Sequence, residues 1–249
     1  MHKLLAMFSA AVLLSAGATA DTFRIEAGGG VWMEKPTGSV SYTTSTNSGS
    51  DTSAEKETDV GYAWIYLKHP IPILPNLRFE YCDVNYEGDV KVSAPVSTDS
   101  TSKLTAKTYD AILYYNLLDN LAWTTLDLGI DVKMIDYKYD VAATTTPIPY
   151  DGYSKSGSIV VPLGYLRGRV QIPATGIGFE GMGSYMSYNG VTVYDARVKA
   201  DWTLEFIPVI QPGIEVGYRI QKVKYDQNDK EIEADVDFSG AYVGLMLRF

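Results

Sequence analysis

Residues 194–206 read Tyr-Asp-Ala-Arg-Val-Lys-Ala-Asp-Trp-Thr-Leu-Glu-Phe, thirteen positions in which apolar and polar side chains alternate without an error. Tyr194, Ala196, Val198, Ala200, Trp202, Leu204 and Phe206 share one face; Asp195, Arg197, Lys199, Asp201, Thr203 and Glu205 share the other. A period of two is that of a β-strand, whereas a helix would spread the same charges around its whole circumference. The pattern recurs. Leu126, Leu128, Ile130, Val132 and Met134 oppose Asp127, Gly129, Asp131 and Lys133, and Ile214, Val216, Tyr218 and Ile220 oppose Glu215, Gly217, Arg219 and Gln221.

Ten such segments span the chain, at about 22–38, 58–69, 77–86, 105–116, 124–139, 159–170, 177–187, 192–205, 212–225 and 233–249. Their connections alternate as well. Ser39 to Glu57, Glu87 to Leu104 and Asp140 to Ser158 are long and polar. Pro70 to Asn76, Leu118-Asp-Asn120, Pro173 to Gly176 and Pro208 to Pro212 are compact, and only the short Asn189-Gly190 turn breaks the rule. Long loops on one side and short turns on the other are the asymmetry of a membrane-spanning barrel, and an even strand count brings both termini to the turn side. The reading is all-β: a closed, antiparallel, up-and-down transmembrane β-barrel of about ten strands, occupying 21–249.

Alternation alone does not say which face meets lipid, since a soluble lipocalin-like barrel shows it too. Strand length does: several runs reach eleven residues or more, enough for a tilted crossing and longer than the usual soluble strand. Aromatics cluster near strand ends as interfacial girdles do. Phe23, Phe79, Tyr115, Trp123, Phe179, Trp202, Phe206 and Phe249 lie toward the turns, and Tyr62, Tyr86, Tyr109, Tyr137, Tyr185, Tyr194 and Tyr225 toward the loops. A mean hydropathy of -0.06 is then the average of a lipid face and a charged interior. It excludes a bundle of apolar helices, each of which would need about 20 apolar residues. A net charge of -9 argues against a nucleic-acid partner, which demands a basic face.

Met1 to Ala20 carries Lys3, an apolar run from Leu4 to Leu14 and the small-x-small triplet Ala18-Thr19-Ala20, the anatomy of a cleaved export signal. The other end reads Ala241-Tyr-Val-Gly-Leu-Met-Leu-Arg-Phe249, with Val243, Leu245, Leu247 and Phe249 on one apolar face. This ending resembles the C-terminal targeting strand of Gram-negative outer-membrane proteins, whose final Phe is recognised by the barrel-assembly machinery. Asp21-Thr-Phe23, Gly61-Tyr-Ala-Trp64, His69 to Asn76, Tyr109 to Asn120, Leu128 to Lys133 and Gly217 to Lys222 extend the likeness over the mature chain, which is similar to a small family of ten-stranded outer-membrane barrels of unassigned function. The resemblance implies a fold, a site in the outer membrane with both termini periplasmic, and lipid and the assembly machinery as partners. It carries over no catalytic residue. The chain is expected to act as a monomer.

Chemistry is sparse. Of two His, His2 lies in the export signal and His69 precedes Pro70 at a turn, so the extracellular, long-loop rim, where an omptin-like protease needs a His–Asp pair, has none. No enzyme, cofactor or metal site is expected. Asp226-Gln-Asn-Asp-Lys-Glu231 begins like a calcium loop and fails at Lys230. The single Cys82 forms no internal disulfide, and Gly28-Gly-Gly30 lacks the residues of a phosphate loop and is expected to pack against a bulky neighbour such as Trp32. With apolar positions turned to lipid, the inward set is Arg24, Glu26, Arg78, Glu80, Asp110, Asp127, Asp131, Lys133, Arg167, Arg169, Glu180, Asp195, Arg197, Lys199, Asp201, Glu205, Glu215 and Arg219. About eight strands already give an interior just filled by side chains, so ten leave little room. These mixed charges suit an ion-paired plug in a structural barrel, or a narrow passive channel whose charge rings select solutes. The Ser/Thr-rich loops at 39–57 and 87–104 keep open a surface binding role, and an outer-membrane hydrolase is the remaining alternative.

Overall fold

The computed structural model describes residues 23–53, 56–94, 96–145, 149–204, 210–226 and 231–249. The expected export signal at 1–20, Glu205, Phe206 and most of the calcium-like loop lie outside them. The strands are β1 (Arg24–Thr43), β2 (Ser48–Ser53), β3 (Thr58–Lys68), β4 (Asn76–Ala94), β5 (Val96–Leu121), β6 (Thr124–Val141), β7 (Tyr153–Gln171), β8 (Ile177–Tyr188), β9 (Val191–Thr203), β10 (Gln211–Tyr225) and β11 (Ile232–Arg248).

Each strand pairs antiparallel with its neighbours in the ring, and β1 closes it on β11 from Glu26↔Arg248 to Tyr42↔Ile232. β2 and β3 take the same place, both lying between β1 and β4: β2 pairs Ser41 to Thr43 on one side and Gly88 to Ser93 on the other, and β3 pairs the lower stretch of both strands. Where either ladder forms, the ring holds ten strands. Between Tyr62↔Cys82 and Ser53↔Gly88 no ladder joins this position to β4 among the described residues. There Glu34, fully buried, accepts the Asn85 amide at 2.7 Å in place of a strand partner.

The three connections expected to be polar loops are largely strand. β4 and β5 run on through 87–104 as one hairpin down to Ala94↔Val96, β1 and β2 absorb most of 39–57, and β6 and β7 extend to Val141↔Tyr153 with a further bridge between Thr144 and Tyr150. The cause is a change of polarity, not of period. On the lower part of β4, Phe79 points out and Arg78 and Glu80 point in; higher up, Asp89 and Lys91 point out and Val90 and Val92 point in. β6 turns over in the same way, from outward Ile130 and Val132 with inward Asp131 and Lys133 to outward Lys138 with inward Ile135, Tyr139 and Val141.

The reversal falls in register from strand to strand. Tyr81, Tyr109, Met134 and Val160 sit on successive paired rungs, and one step further along the same face sit Asp83, Lys107, Asp136 and Ser158. β10 and β11 reverse between Ile220↔Ser239 and Lys222↔Asp237. A ring of apolar side chains giving way to charges on adjacent rungs marks the edge of a hydrocarbon layer. The exposed apolar band runs from that edge to the turn end, and its lower rim carries Phe23, Phe79, Tyr115, Trp123, Phe179, Trp202 and Phe249, all facing out.

The expected upper girdle is thinner. Tyr109 and Tyr185 face out, but Tyr62 and Tyr86 are buried inside and Tyr137, Tyr194 and Tyr225 are half-buried. Tyr42, Tyr66, Tyr114, Tyr139, Tyr165 and Tyr242 are also interior. Tyrosine thus fills this barrel as much as it rims it. Gly28 packs against Trp64, not Trp32: a Cβ there would meet the Trp64 ring at 2.7 Å. Asn189 and Gly190 both have positive φ, the geometry of a two-residue hairpin turn.

Candidate functional site

The alternation that drives apolar side chains outward drives charges into the lower lumen, where each must find a partner because an unpaired buried ion is costly. Glu80 on β4 takes the Arg78 guanidinium at 2.5 Å and also Arg197. Arg197 stands on β9, five places away in a ring of ten, so this contact joins opposite walls across the lumen. Beside it Lys133 bridges Asp110 at 2.6 Å and Asp195 at 3.2 Å, and Asp195 also receives Arg219, whose Nε lies 3.0 Å away.

Nearer the turns, Arg167 spans Asp127 and Glu180, each at 2.6 Å, and Arg169 reaches Asp201 at 2.5 Å. Lys199 touches Glu180 at 3.5 Å and Glu215 at 3.2 Å, while Arg248 and Arg24 flank Glu26 at 2.6 and 2.8 Å. Aromatic rings stack into the same layer. Tyr62 and Trp64 both donate to Glu215, at 2.8 and 2.9 Å. Arg78 and Lys199 lie over the Trp64 ring, each 4.7 Å from its centre, Arg167 over Tyr66 and Arg219 over Trp32, contacts that gain strength where water is excluded.

Every charged residue of the expected inward set that is described is buried on the inner face, except Arg24, half-buried at the mouth. Asp131 is buried with one carboxylate oxygen unpartnered. Val243, Leu245, Leu247 and Phe249 face outward on β11, and the Phe249 amide donates to the Ile25 carbonyl at 2.8 Å.

Several interior residues escaped the sequence reading. Trp64, Tyr62, Tyr66 and Arg248 share parity with the charged set and were legible by that rule, but a search for charge passes over aromatics. Glu34, in phase with Glu26 on β1, was legible by the same rule, and Asp51 was not. Asp51 sits in the Ser/Thr-rich stretch, yet is buried and accepts hydrogen bonds from Tyr86 at 2.7 Å, Tyr139 at 2.8 Å, the Val40 amide at 2.7 Å and Ser102. With the Tyr42–Tyr150 hydroxyl pair at 2.7 Å and the Tyr42–Tyr153 stack it forms a cap across the hairpin end.

What this arrangement can do chemically is limited by how thoroughly it is paired. His69 has both ring nitrogens occupied by its turn, Nε2 against the Pro75 carbonyl at 3.0 Å and Nδ1 accepting the Ile71 amide at 3.2 Å. Cys82 is buried and donates to the Asp83 carbonyl at 3.2 Å. Among the described residues no group of three or more His, Cys, Asp or Glu is arranged to hold a metal ion.

No family model matches the sequence, and no curated protein matches it. The structure is similar to the outer membrane protease OmpT from Escherichia coli, with a TM-score of 0.60 at 10% identity over 94% of this chain and 100% of that one. It also aligns with the translocator domain of the autotransporter NalP from Neisseria meningitidis, with a TM-score of 0.44 at 13% identity, covering 100% of this chain and 96% of that one. What is shared with the protease at 10% identity is the fold: an antiparallel, up-and-down outer-membrane β-barrel.

Proposed function

We propose that this chain is an integral outer-membrane protein whose lumen is closed by its own ion pairs, a structural barrel that passes no steady ion current. Its turns and termini face the periplasm and its long hairpins face outward. The observation that carries the reading is the Glu80–Arg197 contact between opposite walls, set within a layer where the surrounding charges, Asp131 apart, are paired and flanked by aromatic rings. A conducting path would have to break these pairs, and leaving one ion of a buried pair alone costs about 3–5 kcal/mol.

The test is conductance of the refolded protein in a planar bilayer, alongside a heat-shift gel that reports a folded barrel. Folded protein giving a flat trace over a wide voltage range is the expected result. Stable, stepwise openings would replace this reading with the narrow channel. The barrel is proposed to be non-enzymatic, since the one described His is held by its own turn, and to be a monomer. β11 offers its outward Val243, Leu245, Leu247 and Phe249 face as the signal read by the assembly machinery.

A further inference from the structure

Between the ion-paired layer and the Asp51–tyrosine cap the lumen holds a chamber of different character. Its cavity volume is about 70 Å³, and Val84, Ala106, Ile135, Val223, Val236 and Phe238 make its walls. Thr108 also lines it, its hydroxyl donated to the Cys82 carbonyl at 3.1 Å, whereas Gln221 is polar and has no role in the plug. Gln221 is fully buried, and neither its Nε2 nor its Oε1 has a hydrogen-bond partner among the described residues. It lies on β10 between Phe238 of β11 and Asp195 of β9, at the step where apolar walls meet the charged layer. A buried amide with both ends unpaired is unfavourable and suits a ligand that both accepts and donates.

We propose that this chamber is a binding site for a small apolar molecule ending in a neutral hydroxyl. The apolar body fills the space between the aliphatic walls, and the hydroxyl takes a hydrogen bond from Gln221 Nε2 and gives one to Oε1. A carboxylate is disfavoured, because it has no proton for Oε1 and the cations on Asp195, the rung partner of Gln221, are Arg219 and Lys133, both already engaged by it. The inference does not rest on a closed lumen; a barrel that conducts and a barrel that does not could each hold the ligand.

The experiment titrates hexanol, hexane and hexanoate into the full-length barrel in lipid nanodiscs and follows the Gln221 side-chain amide resonance, assigned by its loss in Gln221→Leu. Empty nanodiscs give the partition background. Hexanol is expected to shift the resonance saturably and to bind about tenfold more tightly than hexane, the factor that one hydrogen bond of ordinary net strength supplies. Hexanoate at neutral pH should not compete. In Gln221→Leu, read through neighbouring methyl groups, hexanol affinity should fall to that of hexane. Ala106→Phe fills the chamber and should abolish saturable binding, with Val223→Phe as a second filling substitution and the heat shift to establish that each variant is folded. A linear, unsaturable response overturns the proposal. So does equal affinity for hexanol and hexane, which would leave Gln221 a water-bound amide, and so does undiminished binding in a folded, filled variant.

Discussion

Below the rungs of Asp83, Lys107 and Asp136 this barrel is polar inside and apolar outside; above them the same strands are apolar inside and polar outside. Period and phase do not change, only the solvent does. In hydrocarbon the outer face must be apolar and charges are driven into the lumen, to be held by one another. Beyond the hydrocarbon, water takes the outer face and the interior reverts to the core of a soluble barrel. One chain therefore carries two kinds of interior stacked end to end. The lower is held by ion pairs and cation–π contacts, the upper by apolar packing beneath a carboxylate that gathers tyrosine hydroxyls.

The two halves should respond differently to substitution. The largest loss is expected in the lower one. Arg197→Ala leaves Glu80 with Arg78 alone and should lower the unfolding free energy in lipid by about 3–5 kcal/mol. A loss under about 1 kcal/mol, the scale of exposed pairs, would mean that these ions do not hold the lower half together. The boundary itself is tested by a matched pair on β6. Ile130→Lys, facing the hydrocarbon, should cost about 2–4 kcal/mol. Lys138→Ile, eight residues along on the same face, should stay within about 0.5 kcal/mol. Equal effects would erase the boundary drawn here.

In the upper half, Ile135→Ala should cost about 2 kcal/mol, the low end for such a truncation because the side chain lines a chamber and not a filled core. Denaturant titration of the same series would show it, and a cost near the top of the range would mean that the chamber is packed shut. Tyr86→Phe removes one donor from Asp51 and should cost about 1 kcal/mol; the cap would be idle if melting were unchanged.

The smallest effect lies at the rim, where the Lys155 ammonium, 2.7 Å away, holds the Glu231 carboxyl below its ordinary range. The depressed value means that this pair contributes above the unfolded carboxyl's pKa, about 4.3, and fades as pH falls through the folded one. A carboxyl NMR titration of Glu231 with its midpoint at or above the ordinary Glu value would count against the pair.

The sequence made the ring legible because alternation survives from one end of each strand to the other. The inward charges were legible because parity alone assigns a side. The upper strands look like loops in the sequence for a physical reason: at Asp83, Lys107 and Asp136 the apolar face changes sides while the strand continues, so a pattern with apolar residues outward ends there. Had Val84, Tyr86, Val90 and Val92 been read as a face in their own right, the β4–β5 hairpin would have been found. Asp51 was beyond that reach, and so was the isolation of Gln221, though parity puts it on the inner face. Asp51 is a lone acid among Ser and Thr, and Gln221 is one polar residue in an alternating strand. Only the curvature of the wall brings Tyr86, Tyr139 and Ser102 to the first, or leaves the second facing Phe238 without a partner. Cross-lumen contacts such as Glu80–Arg197 depend on ring size, which no stretch of sequence states.

The ladder between β1 and β11 has a kinetic side. Its rungs join Glu26 to Arg248 and Trp32 to Tyr242, and the Trp32 indole donates across the same join to the Gly240 carbonyl at 3.2 Å. These contacts lie almost a full chain length apart, so none forms until nearly everything between them has been ordered. Loop-closure entropy opposes such pairing, and chains rich in it fold slowly. Until the join is made, β1 and β11 are both unpaired edges, open to any other strand nearby. The time this chain spends vulnerable to aggregation is thus the waiting time of one seam, which runs from Glu26↔Arg248 to Tyr42↔Ile232.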